Sequence, residues 1–157
     1  MIKIVLIDID GVLTDGKVTM DSSGNEYKTI DYRDIDAVFE MKRKGLKVGL
    51  ITGESTPITD IFNDRFKPDF FFNGCKDKAA ALDRVLDETG STEDEVCFVG
   101  DGQYDVSIMK RVRFPACPAN AIQEIKDLSN IILDLNGGDG CIRELLGWIN
   151  DRNTHEP

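Results

Sequence analysis

The chain begins MIKIVLIDIDGVLTDG (residues 1–16), and the reading of this stretch decides the fold. Ile2 to Asp8 is an apolar run, unbroken from Ile4 to Ile7 after Lys3, that ends on an acid. An unbroken run, rather than an alternating one, marks a strand buried on both faces, and such a strand needs helices above and below a parallel sheet. The rest of the chain supplies them. LKVGLIT (46–52) reads as a second strand, DFFFN (69–73) as a short third, 95–99 as a fourth, 112–116 as a fifth and 131–133 as a sixth. Between and after them lie helical stretches at 34–44, 56–65, 76–89, 104–111 and 141–150; in the third, Ala79, Leu82, Val85 and Leu86 share one stripe. This alternation predicts an α/β fold, a doubly wound parallel sheet of Rossmann-like form. KVTMD and EYKTID flank Ser22-Ser23-Gly24-Asn25 and read as a β-hairpin over about 17–31, inserted after the first strand. Residues 1–150 are expected to form a single domain, with 151–157 a loose C-terminal tail.

Composition narrows the function. The 157 residues are 41% hydrophobic and 31% charged, with 19 Lys and Arg against 29 Asp and Glu, a net charge of −10. Such a surface repels nucleic acid and anionic membranes, so neither is expected as a partner. An anionic small molecule can still bind where a metal ion or a helix N-terminus supplies local positive potential. No apolar run approaches the roughly 20 residues of a membrane span, and the first residues lack a signal peptide's cleavage pattern. Cys75, Cys97, Cys117 and Cys141 are widely spaced without a CxxC pair, which reads as reduced thiols in a cytoplasmic protein. His155, the only histidine, falls in the polar tail and is no candidate for catalysis.

Four polar signals follow four of the apolar strands: Asp8-Ile-Asp10-Gly11, Thr52-Gly53, Lys78, and Gly100-Asp101 with Asp105. In a doubly wound sheet, ligands bind beyond the carboxyl ends of the strands where the winding reverses. If the first strand is central, the first and fourth strands are neighbours there, and Asp8 faces Asp101. Facing carboxylates need a cation, and oxygen-only ligands select a hard one, magnesium beside phosphate. Lys78 adds a positive charge, Thr52 a hydroxyl, and the backbone near Gly11 and Gly53 N–H donors, which together suit a tetrahedral dianion. Asp8 is then a nucleophile toward phosphorus, and Asp10 an acid and base for the leaving oxygen and the attacking water. Each motif alone has an ordinary reading, as a turn, a helix cap or a solvated lysine; their order at successive strand ends makes the case.

Together these motifs resemble the haloacid dehalogenase superfamily of phosphatases, along nearly the whole chain. The resemblance implies magnesium held by Asp8, the backbone carbonyl of Asp10 and Asp101, with Asp105 in support and Thr52 and Lys78 on the phosphate. There is no room for a cap domain, so the protein is expected to be capless, with the hairpin as a flap and the lid supplied by a neighbouring subunit. That arrangement is similar to the tetrameric 3-deoxy-octulosonate 8-phosphate phosphatases and the related nine-carbon 2-keto sugar-acid 9-phosphate phosphatases. It implies a homotetramer acting on a 2-keto-3-deoxy sugar-acid phosphate. Gly137 and Gly138 match the late glycine pair of that group, and Arg33 an arginine of the eight-carbon branch. Glu54 and Arg65 resemble the nine-carbon branch. Two other readings fit the acidic site: an open-site general or phosphoprotein phosphatase, and a receiver-like module that accepts a phosphoryl group without turnover.

Overall fold

The computed structural model describes residues 1–155. Strand β1 (Ile4–Asp8) is buried along its whole length, and its side chains alternate between two cores. Val5 and Ile7 point to one, Ile4 and Leu6 to the other. After β1 come the two short strands β2 (Thr19–Met20) and β3 (Glu26–Tyr27), then α1 (Tyr32–Arg43), β4 (Lys47–Ile51), α2 (Pro57–Phe66) and β5 (Phe70–Phe72). The second half runs α3 (Lys78–Thr89), β6 (Val96–Val99), α4 (Val106–Met109), β7 (Phe114–Cys117), α5 (Gln123–Leu128), β8 (Ile131–Ile132) and α6 (Cys141–His155).

The main sheet has six strands in the order β5-β4-β1-β6-β7-β8, with every pairing parallel. The chain winds outward from β1 through β4 to β5, returns beside β1 as β6, and continues to β7 and β8. The first strand is central, and the winding therefore reverses between β1 and β6, the condition on which Asp8 is expected to face Asp101. One face is covered by α1, α2 and α6 through Val38, Met41, Phe62, Phe66, Leu145 and Ile149. The other is covered by α3, α4 and α5 through Leu82, Val85, Ile108 and Ile125. β2 and β3 form a separate antiparallel hairpin, and no cap domain is present among the described residues.

Some local expectations change. The fifth strand lies at Phe114–Cys117 rather than 112–116, because Arg111 and Val112 still belong to the turn that closes α4. The helix expected over 104–111 shortens to α4, preceded by a 3-10 turn at Gln103–Asp105. A helix that was not expected, α5, buries only Ile125, too little apolar periodicity to be read. The tail expected to be loose from residue 151 is helical through His155, where Asn153 bonds both the N–H and the carbonyl of Ile2 (2.9 and 3.0 Å). Glu156 and Pro157 lie outside the described residues.

Candidate active site

Strand register brings the polar signals together. Asp8 pairs with Ile51, so Thr52 leaves β4 beside it, and Ile7 pairs with Val99, so Gly100-Asp101 leaves β6 on its other side. Lys78 opens α3, capped by the Asp77 carboxylate on the N–H of Ala80. Asp8, Thr52, Lys78 and Asp105 are all buried. A cleft of about 200 Å³ is lined by these four residues with Asp10, Gly53, Glu54, Asp101 and Gly102.

Lys78 is the electrostatic centre. Its Nζ donates to Asp8 Oδ1 at 2.8 Å and to Asp105 Oδ1 at 2.5 Å. Burial works against its charge, but the two carboxylates outweigh it and hold the ammonium above the ordinary lysine value. The other oxygen of Asp105 accepts from the backbone N–H groups of Asp101 (2.9 Å) and Gly102 (3.1 Å). Asp105 thus fixes the loop that carries Asp101 and the lysine that touches Asp8. Asp8 Oδ1 also accepts from the N–H of Ile9 at 2.9 Å.

The acids are nonetheless uncomfortable. Burial, then the charge of Asp105, push the Asp8 carboxyl well above the usual carboxylate range, against the pull of Lys78. Burial and Asp105 raise Asp101 to about 6. Oxygens of Asp8, Asp101 and Asp105 lie within 4.8 Å of one another. One ammonium among three carboxylates leaves two negative charges to neutralise, and the donors are all oxygen. A hard divalent cation fits both facts.

The loop after β1 is built to let these acids approach. Gly11 has φ +87, and a Cβ there would lie 1.8 Å from Asp101 Oδ2. Of the backbone donors expected near Gly11, the N–H of Gly11 itself is taken up by Thr14 Oγ1 at 3.2 Å, where the buried Thr14 hydroxyl closes the turn. Gly53 does line the cleft. Gly137 and Gly138 lie against the same loop from outside: a Cβ on Gly137 would sit 1.8 Å from the Gly11 carbonyl oxygen, and the N–H of Gly138 donates to Val12 O at 3.0 Å. Their place is close packing of the site's own loop, and neither lines its cleft.

Arg33 and Arg65 also stand outside the cleft. Arg33 binds Asp31 (2.7 Å) and the Asp139 carbonyl (2.9 Å). Arg65 lies over the ring of Tyr32 at 5.5 Å and borders an apolar groove with Tyr27, Ile58 and Ile61. Three residues that motif reading misses do reach the site. Lys76 and Tyr104 stand at its rim, with the ammonium 6.0 Å from the ring. Lys28 comes in from the hairpin and donates to Asp10 Oδ1 at 2.6 Å. Strand alternation puts Lys28 on the face opposite Tyr27, but nothing in the sequence says which way the hairpin folds.

Comparison with known proteins agrees with this geometry. Residues 69–145 match the family of haloacid dehalogenase-like hydrolases. The 3-deoxy-D-manno-octulosonate 8-phosphate phosphatase of Haemophilus influenzae is 27% identical over 94% of this chain and 82% of its own length. A hydrolase of haloacid dehalogenase subfamily III A from Legionella pneumophila superposes with a TM-score of 0.93 at 28% identity, covering 99% of this chain and 86% of that one. The Moraxella catarrhalis 3-deoxy-D-manno-octulosonate 8-phosphate phosphatase, solved with a magnesium ion, a phosphate ion and a KDO molecule, superposes with a TM-score of 0.90 at 25% identity, over 98% of this chain and 91% of that one. The sheet, its switch-point acids and these likenesses define a phosphoryl-transfer hydrolase. The chain resembles the haloacid dehalogenase-like hydrolases and is a phosphatase.

Proposed function

We propose that this protein is a magnesium-dependent phosphomonoesterase that works through an aspartyl-phosphate on Asp8, with residues 1–150 as one catalytic domain. The observation that carries the reading is the triad of Asp8, Asp101 and Asp105 around the buried Lys78. Asp8, Asp101 and the Asp10 carbonyl would hold the magnesium ion, which supplies positive charge for the phosphate and for the charge that develops on it.

An Asp8 oxygen attacks phosphorus, and the bond to the leaving oxygen breaks as that oxygen takes a proton from Asp10. Lys78 and the Thr52 hydroxyl hold the phosphoryl oxygens. In the second step Asp10 takes a proton from water, the water oxygen bonds to phosphorus, and the electron pair of the broken bond returns to Asp8. Burial keeps other water away from the acyl-phosphate.

The substrate we propose is a 2-keto-3-deoxy sugar-acid phosphate of eight or nine carbons. The relatives from Haemophilus and Moraxella support the eight-carbon acid, and Glu54 at the cleft supports a different contact to the sugar end. A homotetramer goes with this reading. Met20, Tyr27 and Ile61 are exposed apolar side chains on the hairpin and on α2, suited to a second copy of the chain. Arg33 and Arg65, away from their own cleft, would then serve a neighbour's.

The test is phosphate release from the eight- and nine-carbon acids, a phosphopeptide and a simple aryl phosphate, each with and without magnesium. Magnesium-dependent turnover of at least one sugar-acid phosphate, at a kcat/KM at least ten times that of the aryl ester, is expected. Preference for the phosphopeptide, with a monomer in light scattering, would overturn the substrate assignment.

A further inference from the structure

Lys28 stands on the flap one residue beyond β3, yet its ammonium is buried against the active-site loop. Its Nζ donates to Asp10 Oδ1 at 2.6 Å, and its side chain is 8% exposed, while Met20 and Tyr27 on the same hairpin are 66% and 56% exposed. Taking an ammonium out of water is costly unless it is paired. The Asp10 carboxylate is the partner that makes this position tenable. The hairpin has little strength of its own: β2 and β3 pair through two residues each, and so short a ribbon does not hold its place in water. The ion pair therefore ties two things together, the seat of the flap and the direction of the Asp10 carboxylate.

A second cleft of about 250 Å³, lined by Asp10, Lys28, Glu54 and flap residues, adjoins the first through Asp10 and Glu54. Asp10 stands where the two meet. With Oδ1 held by Lys28, the other carboxylate oxygen is the one left to take a proton from water.

We propose that Lys28 is a positioning residue for the second half of the reaction, resting on the phosphatase reading above. By holding Oδ1, it keeps Asp10 aligned to deprotonate the water that attacks the aspartyl-phosphate. In that step the water oxygen bonds to phosphorus, the Asp8–phosphorus bond breaks with its electron pair returning to Asp8, and the water proton passes to Asp10. Lys28 keeps its own protons throughout.

The aryl ester p-nitrophenyl phosphate isolates this step, because nitrophenolate leaves without a proton and kcat/KM reports only events up to its departure. Lys28→Met, which keeps the length and removes the charge, is expected to lower kcat about 10- to 100-fold. KM should fall with it, so that kcat/KM drops far less than kcat. A stoichiometric burst of nitrophenolate and a phospho-enzyme that accumulates on acid quench should accompany this, and Lys28→Arg should recover most of kcat. The burst amplitude counts folded, active sites, so misfolding does not imitate the result. An unchanged kcat, an equal loss in kcat and kcat/KM without a burst, or an arginine variant no better than methionine would each overturn the assignment. If the wild-type protein releases no nitrophenolate with magnesium present, the phosphatase reading itself fails; if it turns over and Lys28→Met matches it, only the role of Lys28 does.

Discussion

Gly11 and Asp101 illustrate how little space the site leaves at the scale of single residues. The carboxylate of Asp101 occupies the place where any side chain at position 11 would begin, and φ there is +87. Gly11→Ala must therefore strain the loop or push Asp101 aside. Such a displacement is expected to weaken magnesium binding about 10- to 100-fold, the size usual for disturbing the support of a metal ligand. Calorimetric titration reads this directly, and an unchanged affinity would show that Asp101 does not need its present place. The convergence of Asp8, Asp10, Thr52 and Asp101 was legible in the sequence because each ends or follows a buried strand, and strand ends converge in a parallel sheet. Lys28 was not, because its role depends on how a short hairpin folds back. Nor was the N–H of Gly11, which the Thr14 hydroxyl takes up.

Helix α6 depends at its start on a residue from α1. Asp34 is fully buried, and its Oδ1 accepts from the N–H groups of Ile142 (3.0 Å) and Arg143 (3.1 Å), while Oδ2 has no partner. Burial raises this carboxyl to about 6, with the charge of Asp31 adding to it and the backbone donors opposing. In the unfolded chain it would titrate near 3.9. The folded protein thus holds the proton more tightly, so this group favours folding in acid, and that advantage is lost as pH rises from about 4 through 6. Asp34→Asn keeps the accepting oxygen and removes the titration. The Tm of the wild type relative to this variant is expected to be higher at pH 4.5 than at pH 7.5, whereas parallel Tm curves would contradict the account. At this scale the apolar runs pointed to a parallel, doubly wound sheet, since unbroken runs mark strands buried on both faces, while the order of the strands came only with the structure. The extent of α6 escaped because polar side chains hold its last turn, through Asn153 on Ile2.

The molecule as a whole carries a net charge of −10 and still presents a site suited to a phosphate dianion. The conflict is resolved locally, by Lys78 and by acids whose oxygens could hold a divalent cation, and the parallel sheet is what brings Asp8 and Asp101 to one place. No helix among the described residues is long and apolar enough to cross a membrane. The likenesses extend over nearly the whole chain. The central claim is that Asp8 carries the phosphoryl group. Rapid acid quench of the protein with magnesium and a labelled phosphoester, followed by peptide mapping, tests it most directly. Label on Asp8, absent from Asp8→Asn and trapped in excess in Asp10→Asn, is the predicted result; turnover without a phospho-enzyme, or label on any other residue, would contradict it.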